Sequence, residues 1–192
     1  HVKIGDPVAL DRLLPICFQA DGSMASETLM CTARLASAQG KAMSRNAVST
    51  LLGVIDLAVL GENIDLAVRA VWLASFLSDS KEAHRLAPIL ASPAKAVRQM
   101  AETQLGGKLR GIVYSGARSE LPPLDGLLRY AANGYPHLLG NVIDAYGLRA
   151  DQEALDCIAP FVSHGDKSVR ERAIKAVASI EGALRNRDHS AN

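Results

Sequence analysis

The 192-residue chain is poor in aromatic residues, which make up 4% of it, and it has only three cysteines. Cys17, Cys31 and Cys157 are an odd count without metal-ligand or oxidoreductase spacing, which excludes a disulfide framework. All three sit in apolar, helix-like surroundings and read as small buried hydrophobes. A Cys17–Cys31 bridge stays open for an exported protein. Charge of one sign is also missing: 21 Lys and Arg face 20 Asp and Glu, a formal net charge of +1. That balance argues against nucleic acid or an anionic membrane as the main partner. No apolar run reaches the roughly 18 residues that a bilayer span needs. The first residues, "HVKIGDPVAL", lack a signal-peptide pattern. A start at His1 without Met reads as trimmed, so the expected location is cytoplasmic with export left open.

Period-two alternation is absent as well, so almost no sheet is expected. Apolar residues make up 48% of the chain, mostly Ala, Leu, Val and Ile. Ala and Leu favour helix, and Ala lets helices pack closely. Candidate helices cover Val8–Phe18, Met24–Ala38 and Ala47–Leu60, the last capped by Ser44 and expected to be buried on most sides. Val68, Val71, Trp72, Ser75 and Phe76 then fall on one helical face, taken as core-facing. Further helices are expected over Lys81–Leu90, Pro93–Leu105, Leu124–Asn133, Pro136–Tyr146, Asp151–Ser163 and Ser168–Leu184. Between them Gly106, Gly107, Gly111, Gly116, Pro122 and Pro123 crowd one stretch, which reads as a long loop near 106–123. The domain expectation is one helical unit over 1–184 and a polar flexible tail over 185–192.

Part of the chain echoes itself. Val97-Arg98 follows Pro88 by nine residues, and Val169-Arg170 follows Pro160 by the same nine. Ala58–Arg69 aligns with Ala87–Arg98 without gaps and shares Ala-Val-Arg at its end, Val68-Arg69 matching Val97-Arg98. In each copy the Val opens the second helix of a pair and faces the core. The Arg beside it can bond a turn Asp, such as Asp166, or free helix carbonyls. A helix pair of this length cannot bury its face alone, and stacking pairs supplies a shared core.

These residues resemble the HEAT repeat of the HEAT/armadillo α-solenoid class. The similar elements are the first-helix prolines Pro88 and Pro160, the acidic turn at Asp166, and Val169-Arg170 followed by Ala173 and Ala176. The copy ending at Leu77 lacks the Pro, and the Leu124–Tyr146 pair lacks Val-Arg. The resemblance implies an all-α fold, an α-α superhelix of about five helix pairs, with an irregular helical bundle as the alternative. It also implies an interaction surface rather than a reaction.

Chemistry-bearing patterns are scarce. His84, His137, His164 and His189 have no His or Cys at helical spacing, so no metal or other cofactor is expected. Gly106-Gly107-Lys108 lacks the Ser or Thr of a phosphate loop. Cys157 shares a helical face with Ala154, Ile158 and Phe161. Asp56 and Asp144 lie in apolar helices, and either would become a site candidate in a cleft beside an Arg. The expectation is a non-enzymatic protein–protein interaction or scaffold module. Tyr114, Arg118, Tyr130, Tyr135 and Arg170 are its candidate binding residues, and Tyr146 a further aromatic candidate. Self-association through the N-terminal helices is a second expectation. The alternative is a HEAT-like enzyme or enzyme accessory acting on nucleic acid or a bound cofactor.

Overall fold

The computed structural model describes residues 45–190. The expected helices Val8–Phe18 and Met24–Ala38, the Ser44 cap, the Cys17–Cys31 question and self-association through the N-terminal helices lie outside the described residues. Every described element is helical, and no strand occurs among the described residues. The chain clusters into two compact units, the first ending at Gln104 and the second beginning at Leu105.

The first unit contains α1 (Arg45–Leu60), α2 (Ile64–Leu77) and a 3-10 segment, Ser80–Ala91. Leu51, Val54, Ile55 and Ala58 form the buried stripe of α1. Leu57 and Leu60 are 65% and 80% exposed, so α1 is not buried on most sides. Its end is closed by paired bonds, Glu62 N–H to the Val59 carbonyl and Asn63 N–H to that of Ala58. Glu62 takes the left-handed conformation there, at φ 61°. The Asn63 side chain then caps α2 by accepting from Leu66 N–H at 3.2 Å.

The core face of α2 matches the expected one in part: Val71 and Ser75 are buried, Val68 and Trp72 are half-buried, and Phe76 is 48% exposed. Ala67, Ala70 and Ala74 are buried as well. The small alanines let α1 and α2 approach closely, which leaves the two rings stacked beside the contact, 5.6 Å apart. A helix apolar on nearly all sides offers several candidate faces, and residue volume chooses among them. The segment expected as an α-helix over Lys81–Leu90 is a 3-10 helix instead. Pro88 has no N–H to donate to an i−4 carbonyl. Ala83, Leu86, Ala87, Ile89 and Leu90 are its buried residues.

The helix α3 (Lys95–Ser115) overturns the long-loop expectation. Val97, Ala101, Leu105, Leu109 and Ile112 form a continuous buried stripe along it. Burial of that stripe outweighs the cost of its glycines, about 1 kcal/mol each relative to Ala. Gly116, at φ 68°, ends the helix, with its N–H on the Val113 carbonyl and that of Ala117 on the Ile112 carbonyl. The irregular stretch therefore shrinks to 116–123, with a 3-10 turn at Arg118–Glu120.

The second unit continues with α4 (Leu124–Ala132), α5 (Pro136–Arg149), α6 (Gln152–Ile158), a 3-10 segment Ala159–Ser163 and α7 (Lys167–Ser190). Eight residues of α5 are buried, which makes it the centre of this unit. It runs through Gly147, where a stop was expected. A Cβ there would lie 3.2 Å from that of Ala176, so this glycine serves close packing of α5 on α7. Residues 185–190, expected as a flexible tail, extend α7.

Candidate functional site

The echoed sequences produce the same local bonds twice. Arg98 Nη1 donates to the carbonyls of Ser92 and Pro93, at 2.6 and 2.8 Å. Arg170 Nη1 donates to those of His164 and Gly165, at 2.6 and 3.3 Å. Both arginines thus reach back six and five residues to the turn before their own helix. Val97 and Val169, beside them, are fully buried. Pro88 and Pro160 both lie in 3-10 segments before their turns, Ser80–Ala91 forming the whole first element of its pair and Ala159–Ser163 closing α6.

Asp166 and Arg170 were expected to pair, and they do not. Asp166 Oδ1 instead accepts from Val169 N–H at 3.0 Å, capping α7. That bond holds its carboxyl below the ordinary aspartate range. Val68 is half-buried rather than core, and Arg69 is exposed. The Pro-less first copy therefore shares the sequence triplet more than its packing.

The candidate binding tyrosines scatter. Tyr114, on the last turn of α3, is 96% exposed. Tyr130 and Tyr135 are half-buried. Tyr146 is fully buried, and its hydroxyl donates to Asp125 Oδ1 at 2.6 Å. Burial and that carboxylate push the phenol well above its ordinary pKa. Tyr146 is thus a core residue of the second unit.

Arg118 belongs to a charged cluster. It lies 4.0 Å from Asp151, whose other partner, Arg149, donates at 2.8 Å and also binds Glu153. Burial opposes the Asp151 charge, but the bonds from Arg149 and from Ala154 N–H outweigh it and hold its carboxyl low. Every charge in this cluster answers another, which describes a fastening more than a receptor.

Beyond a cavity of about 380 Å³ that Arg118, Arg149 and Asp151 of this cluster line, there is a groove in the first unit and a smaller cleft in the second. The groove, of about 540 Å³, lies between α1 and the 3-10 segment. Leu52, Ile55, Val59, Leu60, Pro88 and Ile89 supply most of its apolar wall. Asp56 and Arg85 stand at it as the charged residues. Arg85 reaches Ser49 Oγ and Glu82, whereas exposed Asp56 has no ion pair among the described residues.

The cleft, of about 260 Å³ in the second unit, is lined by Arg110, Val113 and Tyr114 of α3 and by Asn141 and Asp144 of α5. Arg172 of α7 donates from Nη1 to Asn141 Oδ1 at 3.2 Å and to Asp144 Oδ2 at 2.7 Å. Asp144, flagged by its place in an apolar helix, is therefore bonded to an arginine at a cleft, whereas Asp56 shares its groove with Arg85 without an ion pair among the described residues. Burial raises the Asp144 carboxyl above the ordinary range, while Arg172 and Lys175 draw it part of the way back. Asn141 is buried at 5% exposure and was not singled out from the sequence. Its only sequence signal is a polar side chain on the apolar stripe of α5.

Among the described residues no group of three His, Cys, Asp or Glu side chains could hold a metal ion. Cys157 is a free, half-exposed thiol. Among the described residues no helix is long and apolar enough to cross a membrane. No protein-family model matches the chain, and no curated protein is similar to it.

Proposed function

We propose that this protein is a non-enzymatic docking module built from HEAT-like helix pairs, and that its first unit receives an amphipathic helical segment of a partner protein. The apolar groove between α1 and the 3-10 segment carries this reading. A groove walled by aliphatic side chains suits a helix that presents aliphatic anchors at i, i+3 and i+4. Leu60, at 80% exposure, stands where such an anchor would cover it. Asp56 adds charge complementarity, so the partner helix carries a Lys or Arg beside its anchors. The paired Arg98 and Arg170 turns support the repeat construction.

Little supports a nucleic-acid partner. Arg98 and Arg170 are bonded to backbone carbonyls, Arg149 and Arg172 to carboxylates, and Lys167 to Glu171. Across the chain cations are balanced by acidic residues, 21 against 20, so no surplus of positive charge is left for phosphates.

Selection from a displayed library of helical peptides tests the proposal. Enriched peptides should carry aliphatic anchors at helical spacing with a neighbouring Lys or Arg. Fluorescence anisotropy should show binding weakened at least about tenfold by Leu60→Asp, the loss of one buried aliphatic anchor. Asp56→Lys should reverse the charge preference. Enrichment without that pattern, or affinity indifferent to Leu60→Asp, overturns the reading. So does a concentration-dependent dimer in sedimentation that Leu60→Asp dissolves, because the occupant is then a second copy.

A further inference from the structure

We propose that the cleft of the second unit is a binding site for a small neutral planar heterocycle with a cyclic-amide edge. The ligand's carbonyl accepts from Asn141 Nδ2, its N–H donates to Asp144 Oδ1, and its ring lies on Tyr114. The site is independent of the groove and of the docking function.

Asn141 carries the inference. It lies on α5, is only 5% exposed, and lines the cleft. Its amide cannot turn over, because Arg172 Nη1, which can only donate, holds Oδ1 at 3.2 Å. Nδ2 is therefore the free branch, and it has no acceptor among the described residues. A donor buried without a partner is costly. Yet among the described residues no buried side-chain polar atom lacks a hydrogen-bond partner. Nδ2 is thus open to solvent, and the cleft is where Asn141 meets it. On its other side Nδ2 is closed in by α3, where a Cβ on Gly106 would come within 2.9 Å.

Asp144 supplies the complementary acceptor. It stands about one helical turn further along α5 and lines the same cleft. The same Arg172 Nη1 donates to its Oδ2 at 2.7 Å, and its Oδ1 has no partner among the described residues. Arg172 is not part of the cleft lining; it orients the two groups that are. Burial works against the Asp144 charge, and an N–H from a ligand would offset that. The pair presents one donor and one acceptor. A ring amide, with C=O beside N–H on one edge, answers both, whereas a carboxylate answers the donor alone.

The rest of the cleft suits a neutral, flat body. Arg110 and Asp144 are its charged lining residues, and they cancel. Val113 is half-buried, and Tyr114 stands 96% exposed with no ring partner among the described residues. A planar ligand would cover both and stack on the tyrosine ring. At about 260 Å³ the cleft falls just below the range of ordinary small-molecule pockets, which begins at ~300 Å³. One fused bicycle fits that scale.

The test titrates the full chain with 2-quinolone, followed by nitrogen-resolved NMR. N-methyl-2-quinolone, which lacks the N–H, and anionic 2-naphthoate serve as probes of similar shape. The side-chain amide signals of Asn141 should shift with 2-quinolone, saturating with a Kd below ~1 mM. The other two probes should each bind about tenfold more weakly. Asp144→Asn should weaken 2-quinolone about tenfold and leave N-methyl-2-quinolone unchanged, because Arg172 takes the new amide oxygen and turns its NH2 against the ligand N–H. A purely structural role for Asp144 would move both ligands alike. Tyr114→Ala should weaken both quinolones about tenfold without moving the thermal midpoint, since the side chain is exposed. Should Asp144→Asn fail to fold, the probe series and Tyr114→Ala decide. No saturation by 2-quinolone, an unmoved Asn141 amide, 2-naphthoate binding as tight as 2-quinolone, or indifference to Tyr114→Ala overturns the site. Loss of 2-quinolone binding in Leu60→Asp also overturns it, because the probe then sits in the groove.

Discussion

Three glycines in α3 give a prediction whose sign depends on their surroundings. Gly107 and Gly111 are exposed, and a Cβ at either would meet nothing within 4 Å. Alanine there removes only the conformational freedom that glycine contributes to the unfolded chain. Each change should stabilise the protein by about 0.8–1 kcal/mol. Gly106 is buried, and its Cβ would stand 2.9 Å from Asn141 Nδ2. Asn141 cannot swing away without giving up its bond from Arg172. Overpacking of this kind costs about 1–3 kcal/mol, which outweighs the same helix gain. For a chain of this length 1 kcal/mol moves Tm by about 2–4 °C. The double variant Gly107→Ala/Gly111→Ala should therefore melt roughly 4–8 °C higher by far-UV circular dichroism, the two gains adding because the new methyl groups share no partner. Gly106→Ala should melt lower. Unchanged or lower midpoints at 107 and 111 would refute a helix through this stretch, and a raised midpoint at 106 would refute the packing against Asn141.

Further predictions concern the turns, one buried tyrosine and one cap. Arg98→Met and Arg170→Met should cost similar amounts, about 1–2 kcal/mol each in urea denaturation, because both arginines hold the same two carbonyls of their turns; a large cost at one and none at the other would contradict the equivalence. Tyr146→Phe should cost about 1 kcal/mol by the same measurement, through loss of the bond to Asp125, whose carboxylate is exposed and stays hydrated. Asp166 has a folded pKa held below its unfolded value by Val169 N–H. Its contribution is complete above the ordinary aspartate pKa of about 3.9 and is lost as pH falls through the lower folded value. Asp166→Ala should thus lower stability at neutral pH and flatten the acid limb of the stability curve, while an unaltered acid limb would remove this cap from the account.

How much of this was legible in the sequence follows from what each residue type constrains. The start of α6 could be read, because the expected helix begins at Asp151, whose side chain caps it by local chemistry alone. The echo around Pro88 and Pro160 could be read because one Pro and one Val-Arg pair each force a local geometry. The path of α3 was misread, because glycine content was weighed above the apolar spacing of Val97, Ala101, Leu105, Leu109 and Ile112, a spacing present in the sequence. The core face of α2 was half legible for another reason. Its apolar residues surround the helix, and packing determines that alanines join Val71 and Ser75 inside while Trp72 is left half-buried and Phe76 exposed. The cleft was half legible. Asp144 stood out as an acid in an apolar helix, but its meeting with Arg172, 28 residues away, depends on Gly140 and Gly147 bringing α7 against α5.

The docking function is tested most directly by methyl-resolved NMR of the full chain, titrated with a selected helical peptide. The account predicts shifts confined to Leu52, Ile55, Val59, Leu60 and Ile89, the methyl-bearing walls of the groove, and their loss in Leu60→Asp. Shifts centred on other methyl groups, or a peptide that binds and leaves these five unmoved, would contradict it.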